Sequence, residues 1–219
     1  MGEMIDVEGV SPLILNRLSV YLRCLRHLQE AGIRHVSSKE LAQRYHLSAS
    51  QIRKDLAQFG DFGIRGVGYE VEGLAAHLTT LLGLDESHPL VIVGVGNLGS
   101  ALVRYLGFNH GAFRVVAAVD QDPEKVGRQI GDFTVRHVDE LPRVVAESGA
   151  KIGVLTVPAD AAQENYEALV AAGVQAVLNF APARVQRVPG VPLKNVDLRI
   201  HLEEVAFILG QRQEDGEAS

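Results

Sequence analysis

A single cysteine in 219 residues, Cys24, excludes an intrachain disulfide and points to a reducing, cytoplasmic setting. Cys24 falls on the apolar side of a helix pattern, the place of a small packing residue. No apolar run approaches the roughly 20 residues needed to span a bilayer. The opening MGEMIDVEGV is acidic where a secretory signal would be basic, so a soluble chain with no membrane partner is expected. No Cys/His cluster has zinc-ligand spacing, and no metal is expected. Among the eight histidines, His88, His110, His137 and His201 stand isolated in the second half. No His, Cys, Lys or paired acid there has a recognisable catalytic partner, so no catalytic residue is assigned.

What is present is unevenly spread. The chain carries a net charge of −6, yet residues 13 to 69 hold nine Lys/Arg against four acids, a local excess of +5. Such asymmetry suggests a basic module with a polyanionic partner, attached to an acidic body.

Inside the basic module Leu15, Leu18, Leu22, Leu25 and Leu28 recur at helical spacing, and Ala31-Gly32 ends the pattern. In "SSKELAQRYHL", Ser37 and Glu40 have the spacing of a capping box. "SASQIRKDLAQFG" repeats that signal with Ser48 and Gln51, then places Ile52, Leu56 and Phe59 on one side. The other side offers Ser50, Gln51, Arg53, Lys54, Ala57 and Gln58, with Asp55 the only acid. Amides and guanidinium groups reach base edges, and Lys and Arg also reach phosphates, so this is the face of a major-groove helix. "GDFGIRGVGYEV" then reads as a hairpin with Arg65 near its tip, the wing of a winged helix, or else as a glycine-rich linker. A wing arginine could enter a narrow minor groove. A helix from Leu74 to Leu82 leads into the polar joint Gly83 to Pro89, where the domain boundary is placed.

Beyond the joint, Leu90 to Val93 is a continuous apolar strand pattern running into Gly94-Val95-Gly96-Asn97-Leu98-Gly99, the glycine fingerprint of a dinucleotide site. Gly94 would permit the tight turn, Gly96 the approach of backbone to pyrophosphate, and Gly99 the packing of helix on strand. A second strand, "FRVVAAVD", ends in Asp120, 21 residues past Gly99, about where a ribose-binding acid belongs. A carboxylate there would repel the 2′-phosphate of NADP, so NAD is favoured. Strands at 152–158, 176–182 and 196–198 follow, with a helix from Ala161 to Ala172. Thr156, Val157, Pro158 and Asn179 lie at strand ends where ligands bind in open α/β folds. Thr156 and Asn179 could equally satisfy turns.

The chain resembles the Rex family of redox-sensing bacterial transcriptional repressors. The resemblance rests on "RLSVYLRCL", "QIRKDLAQFGDFGIRGVGY", "VGVGNLGSAL", "VDQDPEKVG", "LTVP", "NFAP" and "NVDL", which occur in order over nearly the whole length. It implies an α/β chain with a winged-helix DNA-binding domain over 10–84 and a Rossmann NAD(H)-binding domain over 85–199. It further implies a helix at 200–212 exchanged between the subunits of a homodimer, followed by a disordered acidic tail at 213–219. The implied function is a repressor that binds palindromic operator DNA, controls anaerobic, fermentative and respiratory genes, and is released when the NADH/NAD+ ratio rises. Arg53, Lys54 and Arg65 match the family's DNA-contact segment, while Arg23, Tyr105 and Asp197 match a cluster linking DNA binding to the nucleotide site. The final helix would carry Leu202, Val205, Ala206 and Leu209 as one stripe. Leu198 stands where family members can have an aromatic near the nicotinamide. A small NAD-dependent enzyme, and a DNA-binding sensor of coenzyme A or an ADP-ribose, stay open as alternatives. The missing acid–base pair weighs against the first, Asp120 and the resemblance against the second.

Overall fold

A computed structural model describes residues 11–109 and 111–217, with the backbone alone for residues 106 and 211–217. Val10, His110 and the last two residues of the expected tail lie outside the described residues. The chain divides into two compact units, one ending at Glu86 and one beginning at Ser87.

In the first unit, helix α1 (Pro12–Glu30) starts at Ser11, whose hydroxyl accepts the Leu13 N–H, and buries Leu18, Tyr21, Leu22, Cys24, Leu25 and Leu28. Leu15, expected in that stripe, stands 36% exposed, and Tyr21 joins the core instead. Helix α2 (Ser38–Tyr45) has both bonds of the expected capping box: Glu40 N to Ser37 Oγ at 3.1 Å and Ser37 N to Glu40 Oε2 at 2.8 Å. Helix α3 (Ala49–Leu56) is capped by Ser48 but has no such box, because the Gln51 side chain turns to Asp55. It ends before Phe59, which packs half-buried beyond it.

A short strand β1 (His35–Val36), unforeseen in the sequence, pairs antiparallel with β3 (Gly68–Glu70), which pairs with β2 (Gly63–Ile64). The wing is thus a hairpin within a three-stranded sheet. Gly68, at φ +98°, must be glycine, since a Cβ would lie 2.5 Å from the Val36 carbonyl oxygen. Helix α4 (Val71–Leu81) closes the unit by burying Val71, Leu74, Ala75 and Leu78.

The second unit is an open parallel sheet in the order β11 (Leu193–Asn195), β10 (Ala176–Asn179), β9 (Ile152–Leu155), β4 (His88–Val93), β5 (Phe113–Asp120), β8 (Arg136–His137). This is the doubly wound order of dinucleotide-binding domains. Alternate residues of β4 serve its two faces. Val91 and Val93 pack with helices α6 (Leu141–Ser148) and α7 (Ala162–Ala171), while Leu90 and Ile92 pack with Val103 of α5 (Asn97–Val103). A small hairpin, β6 (Gln129–Ile130) and β7 (Phe133–Thr134), precedes β8.

Two expectations need correction. The sixth strand is not 196–198 but Leu193–Asn195, because the buried Leu193 pairs with Val177 while Asp197 begins a helix by accepting the Arg199 N–H at 2.9 Å. Helix α8 (Leu198–Glu217) therefore starts earlier than 200 and also runs through the first residues of the expected tail. Its Leu202, Val205, Phe207, Ile208 and Leu209 are all more than half exposed in the single chain.

Candidate functional site

The glycine loop crosses the carboxyl end of β4 where β5 and β9 diverge to either side, the switch point of the sheet. Gly94 is left-handed at φ +92°, and a Cβ there would press on the Thr156 carbonyl oxygen at 2.8 Å. A Cβ on Gly99 would run into the Gly94 carbonyl, whereas one on Gly96 would meet nothing within 4 Å. The first and third glycines thus serve internal packing. The second leaves its backbone open to the cleft, as a pyrophosphate requires.

That cleft, about 820 Å³, is lined by Gly94, Gly96, Leu98, Asp120 to Pro123, Lys125, Val138, Thr156 to Pro158, Ala161, Asn165, Phe180 and Pro182, with Val93 at its base. Its volume suits a small-molecule or cofactor site. Asp120, 6% exposed at the end of β5, accepts from Val95 N (2.6 Å), Asp122 N (2.9 Å) and Lys125 Nζ (3.3 Å). Burial by itself would push this carboxyl up, but the two N–H groups and the ammonium hold it below the usual carboxylate range. It is ionised at neutral pH. A carboxylate has about four acceptor positions, so one remains for a ribose hydroxyl.

The other expected residues divide. Val157 and Pro158 line the cleft. Thr156 also lines it, but its hydroxyl donates its one proton to the Gly94 carbonyl (2.6 Å), with the Val93 carbonyl 3.1 Å away, bracing the loop. Asn179 is 1% exposed, outside the cleft lining. Its side chain accepts from Ala181 N and donates to Asn195, which is the turn-satisfying role. Val95, Asn97 and Gly99 shape the loop from outside the lining. Lys125 went unforeseen and could have been found five residues after Asp120, while Phe180, which also lines the cleft, belongs to the "NFAP" strand end that carries the resemblance.

On the first unit, Ser50, Arg53 and Lys54 are exposed along α3, and Gln58 is exposed in the turn that follows it. Arg53 Nη1 donates to Ser38 Oγ at 2.9 Å, which ties the guanidinium near the start of α2. Arg65 sits in the wing turn, exposed between Ile64 and Val67, which are 59% and 48% exposed. A groove lined by Ser37, Ser38, Arg53 and residues 63–69 runs between α3 and the wing. Gln51 departs from expectation: it is half-buried, with its amide on Asp55. Asp55, read as the lone acid of an exposed face, is fully buried in an ion pair with Arg17. The signal available in the sequence was its spacing beside Ile52 and Leu56 on the apolar side.

Of the three residues assigned to a linking cluster, Arg23 is exposed on α1, and its Nε donates to the Ser19 carbonyl at 3.4 Å. Tyr105 is 56% exposed with its ring edge-on to Phe108, and Asp197 caps α8. No group of three or more His, Cys, Asp or Glu side chains suited to a metal occurs among the described residues. Among the described residues no helix is long and apolar enough to cross a membrane.

Comparison with known proteins places both units. A family model described as "CoA binding domain" matches residues 85–183, and one described as "Putative DNA-binding protein N-terminus" matches 9–57. A redox-sensing transcriptional repressor Rex of Streptomyces coelicolor is 44% identical over 200 residues, 91% of this chain and 78% of its own. Its counterpart from Pelotomaculum thermopropionicum is 45% identical over 199 residues, 91% and 93% of the two chains. Among solved structures, RSP in complex with β-NAD+ and operator DNA superposes with TM-score 0.87 at 36% identity, covering 95% of this chain and 96% of that one. RSP in complex with β-NADH gives TM-score 0.85 at 34% identity, with 96% and 99% covered.

Proposed function

Because the chain belongs to the Rex family of redox-sensing transcriptional repressors, we propose that it is an NAD(H)-sensing repressor that binds operator DNA and leaves it when NADH fills the cleft. The observation that supports this most directly is the joining, in one chain, of an open Gly96 beside an ionised Asp120 with a basic winged helix. The Rossmann body would span 85–199 and the winged helix 10–84.

In this reading Arg53, Lys54 and Arg65 hold phosphates, while Ser50, Gln51 and Gln58 face bases. The pyrophosphate lies along Gly94 to Gly99 at the start of α5, and Asp120 takes the adenosine ribose. Coenzyme A, which the name of the matching family model raises, carries a 3′-phosphate on that ribose, and Asp120 would repel it. NADH and NAD+ share everything but the nicotinamide ring, so selectivity arises near Val157, Pro158 and Phe180. There a neutral ring gains more than a cationic one from apolar neighbours.

The exposed apolar side chains of α8 are what a helix exchanged between two subunits would bury, and this supports a homodimer matched to a palindromic operator. We assign the link between nucleotide and DNA to Arg23, Tyr105 and Asp197. That the relatives are named transcriptional repressors supports regulation rather than catalysis, and operator DNA implies work in the cytoplasm.

A ligand shifts an equilibrium only by its differential affinity. NADH must therefore bind the DNA-incompetent form more tightly, and operator DNA must weaken NADH binding by the same factor. Gel shifts on genomic fragments test this: release by NADH but not by NAD+ is expected, and equal release by both would overturn it. Cutting the chain after Asp197 should abolish both the dimer, by light scattering, and NADH-controlled release.

A further inference from the structure

A buried acid beneath α3 carries a more specific statement, which rests on the operator-binding reading. Asp55 is 0% exposed, and its carboxylate accepts from Arg17 Nε (2.6 Å), Arg17 Nη2 (2.8 Å), the Tyr21 hydroxyl (2.8 Å) and Gln51 Nε2 (2.7 Å). The Arg17 guanidinium holds this carboxyl below its ordinary range against the opposing pull of burial, with Gln51 and Tyr21 adding to it. An ionised carboxylate can only accept. The Gln51 amide therefore has one satisfactory orientation, NH₂ toward Asp55. A flipped amide would set its oxygen against a carboxylate oxygen.

Gln51 is the third residue of α3, and the first turn of such a helix is the part that meets base edges. An unrestrained glutamine offers a donor or an acceptor to the groove with equal ease. With its amino end held from below, it offers the carbonyl.

We propose that Asp55 is a positioning residue for sequence specificity, holding Gln51 so that its Oε1 stands as a fixed acceptor toward the major groove. The base it selects carries an exocyclic amino group there, adenine N6 or cytosine N4; guanine and thymine present only acceptors at the equivalent edge. The ion pair on which this depends draws Arg17 and Tyr21 from α1, so base preference is set partly by a helix that does not enter the groove.

The test uses the full-length chain and a duplex that it selects from a random-sequence DNA pool. Every base pair is then substituted in turn, and binding is read by fluorescence anisotropy. Gln51→Ala should lose discrimination at one base pair per half-site, by about five- to thirtyfold, and that pair should present an amino group. Deleting the amino group alone, with purine for adenine or 2-pyrimidinone for cytosine, should cost the wild type the same factor beyond what it costs Gln51→Ala. Asp55→Asn should lose discrimination at that same base pair while keeping it elsewhere. If Asp55→Asn does not fold, the triple variant Arg17→Met/Tyr21→Phe/Asp55→Leu, which exchanges the buried polar cluster for apolar side chains, carries the same expectation.

Wild-type indifference to the amino deletion would overturn the proposal, as would a Gln51→Ala profile equal to the wild type's. So would full discrimination in a folded Asp55 variant. A chain that selects no duplex at all overturns the operator-binding reading with it, whereas NADH-releasable binding with any of those three results overturns this inference alone.

Discussion

Lys125 Nζ lies 3.3 Å from Asp120 Oδ2 and 3.3 Å from Asp122 Oδ2, so the acid at the end of β5 faces the cleft with its own counter-ion. Lys125 is only partly shielded, and its acidity is lowered by the two carboxylates against the opposing effect of burial. On the proposed reading, discrimination between NAD and NADP would be a balance between Asp120, which repels a 2′-phosphate, and Lys125, which attracts one. In titrations of the purified chain, Asp120→Ala should weaken NADH binding by about 1.5–3 kcal/mol, ten- to a hundredfold, and narrow the NADH/NADPH ratio. Lys125→Ala should widen it. An unchanged ratio in both variants would place the ribose-reading group elsewhere.

The glycines of the fingerprint separate by what a methyl would touch. Gly96→Ala meets nothing within 4 Å, so the thermal transition should stay within about 1 kcal/mol of the parent. NADH affinity should fall at least about tenfold, because the methyl enters the pyrophosphate path. Gly99→Ala collides with the Gly94 carbonyl and lies 2.8 Å from Thr156 Oγ1, so it should lose both stability and binding. Calorimetry with and without NADH distinguishes the two; equal stability losses would contradict the assignment.

On α3, Arg53→Ala/Lys54→Ala should weaken binding to all duplexes and make log K against log[salt] shallower by roughly two units, one for each phosphate released. NADH affinity, measured on the second unit's cleft, should hold. An unaltered slope in a folded variant would remove this face from the groove.

Asp55 also sets a pH dependence. Its folded pKa is depressed, chiefly by the Arg17 guanidinium, so its contribution to stability is complete above the unfolded value of about 3.9 and is lost as pH falls through the lower folded value. Asp55→Asn should cost on the order of 1–2 kcal/mol at neutral pH, since it removes charge-assisted hydrogen bonds while the partly exposed Arg17 regains some hydration. Acid unfolding of the variant, followed by circular dichroism, should then show a weaker dependence on pH below about 4. A parallel acid limb in parent and variant would mean that Asp55 is protonated in the native state.

Much of this molecule was legible from residues close together in the chain. The capping box of Ser37 and Glu40, the glycine turn that opens α5 and the 21-residue step to Asp120 are settled largely by backbone conformation and hydrogen bonds within a few residues or one β-α-β unit. The basic excess over 13 to 69 likewise marked the module that carries α3 and the wing. Other features depended on partners remote in sequence. Asp55 reads as a surface acid until Arg17, 38 residues earlier, comes within 2.6 Å. Thr156 reads equally as a ligand contact or a turn residue until the Gly94 carbonyl, 62 residues away, takes its hydroxyl. Val196 to Leu198 read as strand until Leu193 claims the place beside Val177, leaving Asp197 to begin a helix. A polar side chain in a patterned sequence carries no mark of which way it will face, because burial costs it free energy unless a partner arrives to satisfy it. For Asp55 and Thr156, only the packing of distant elements supplied that partner, whereas Asn179 finds one two residues on, at Ala181 N.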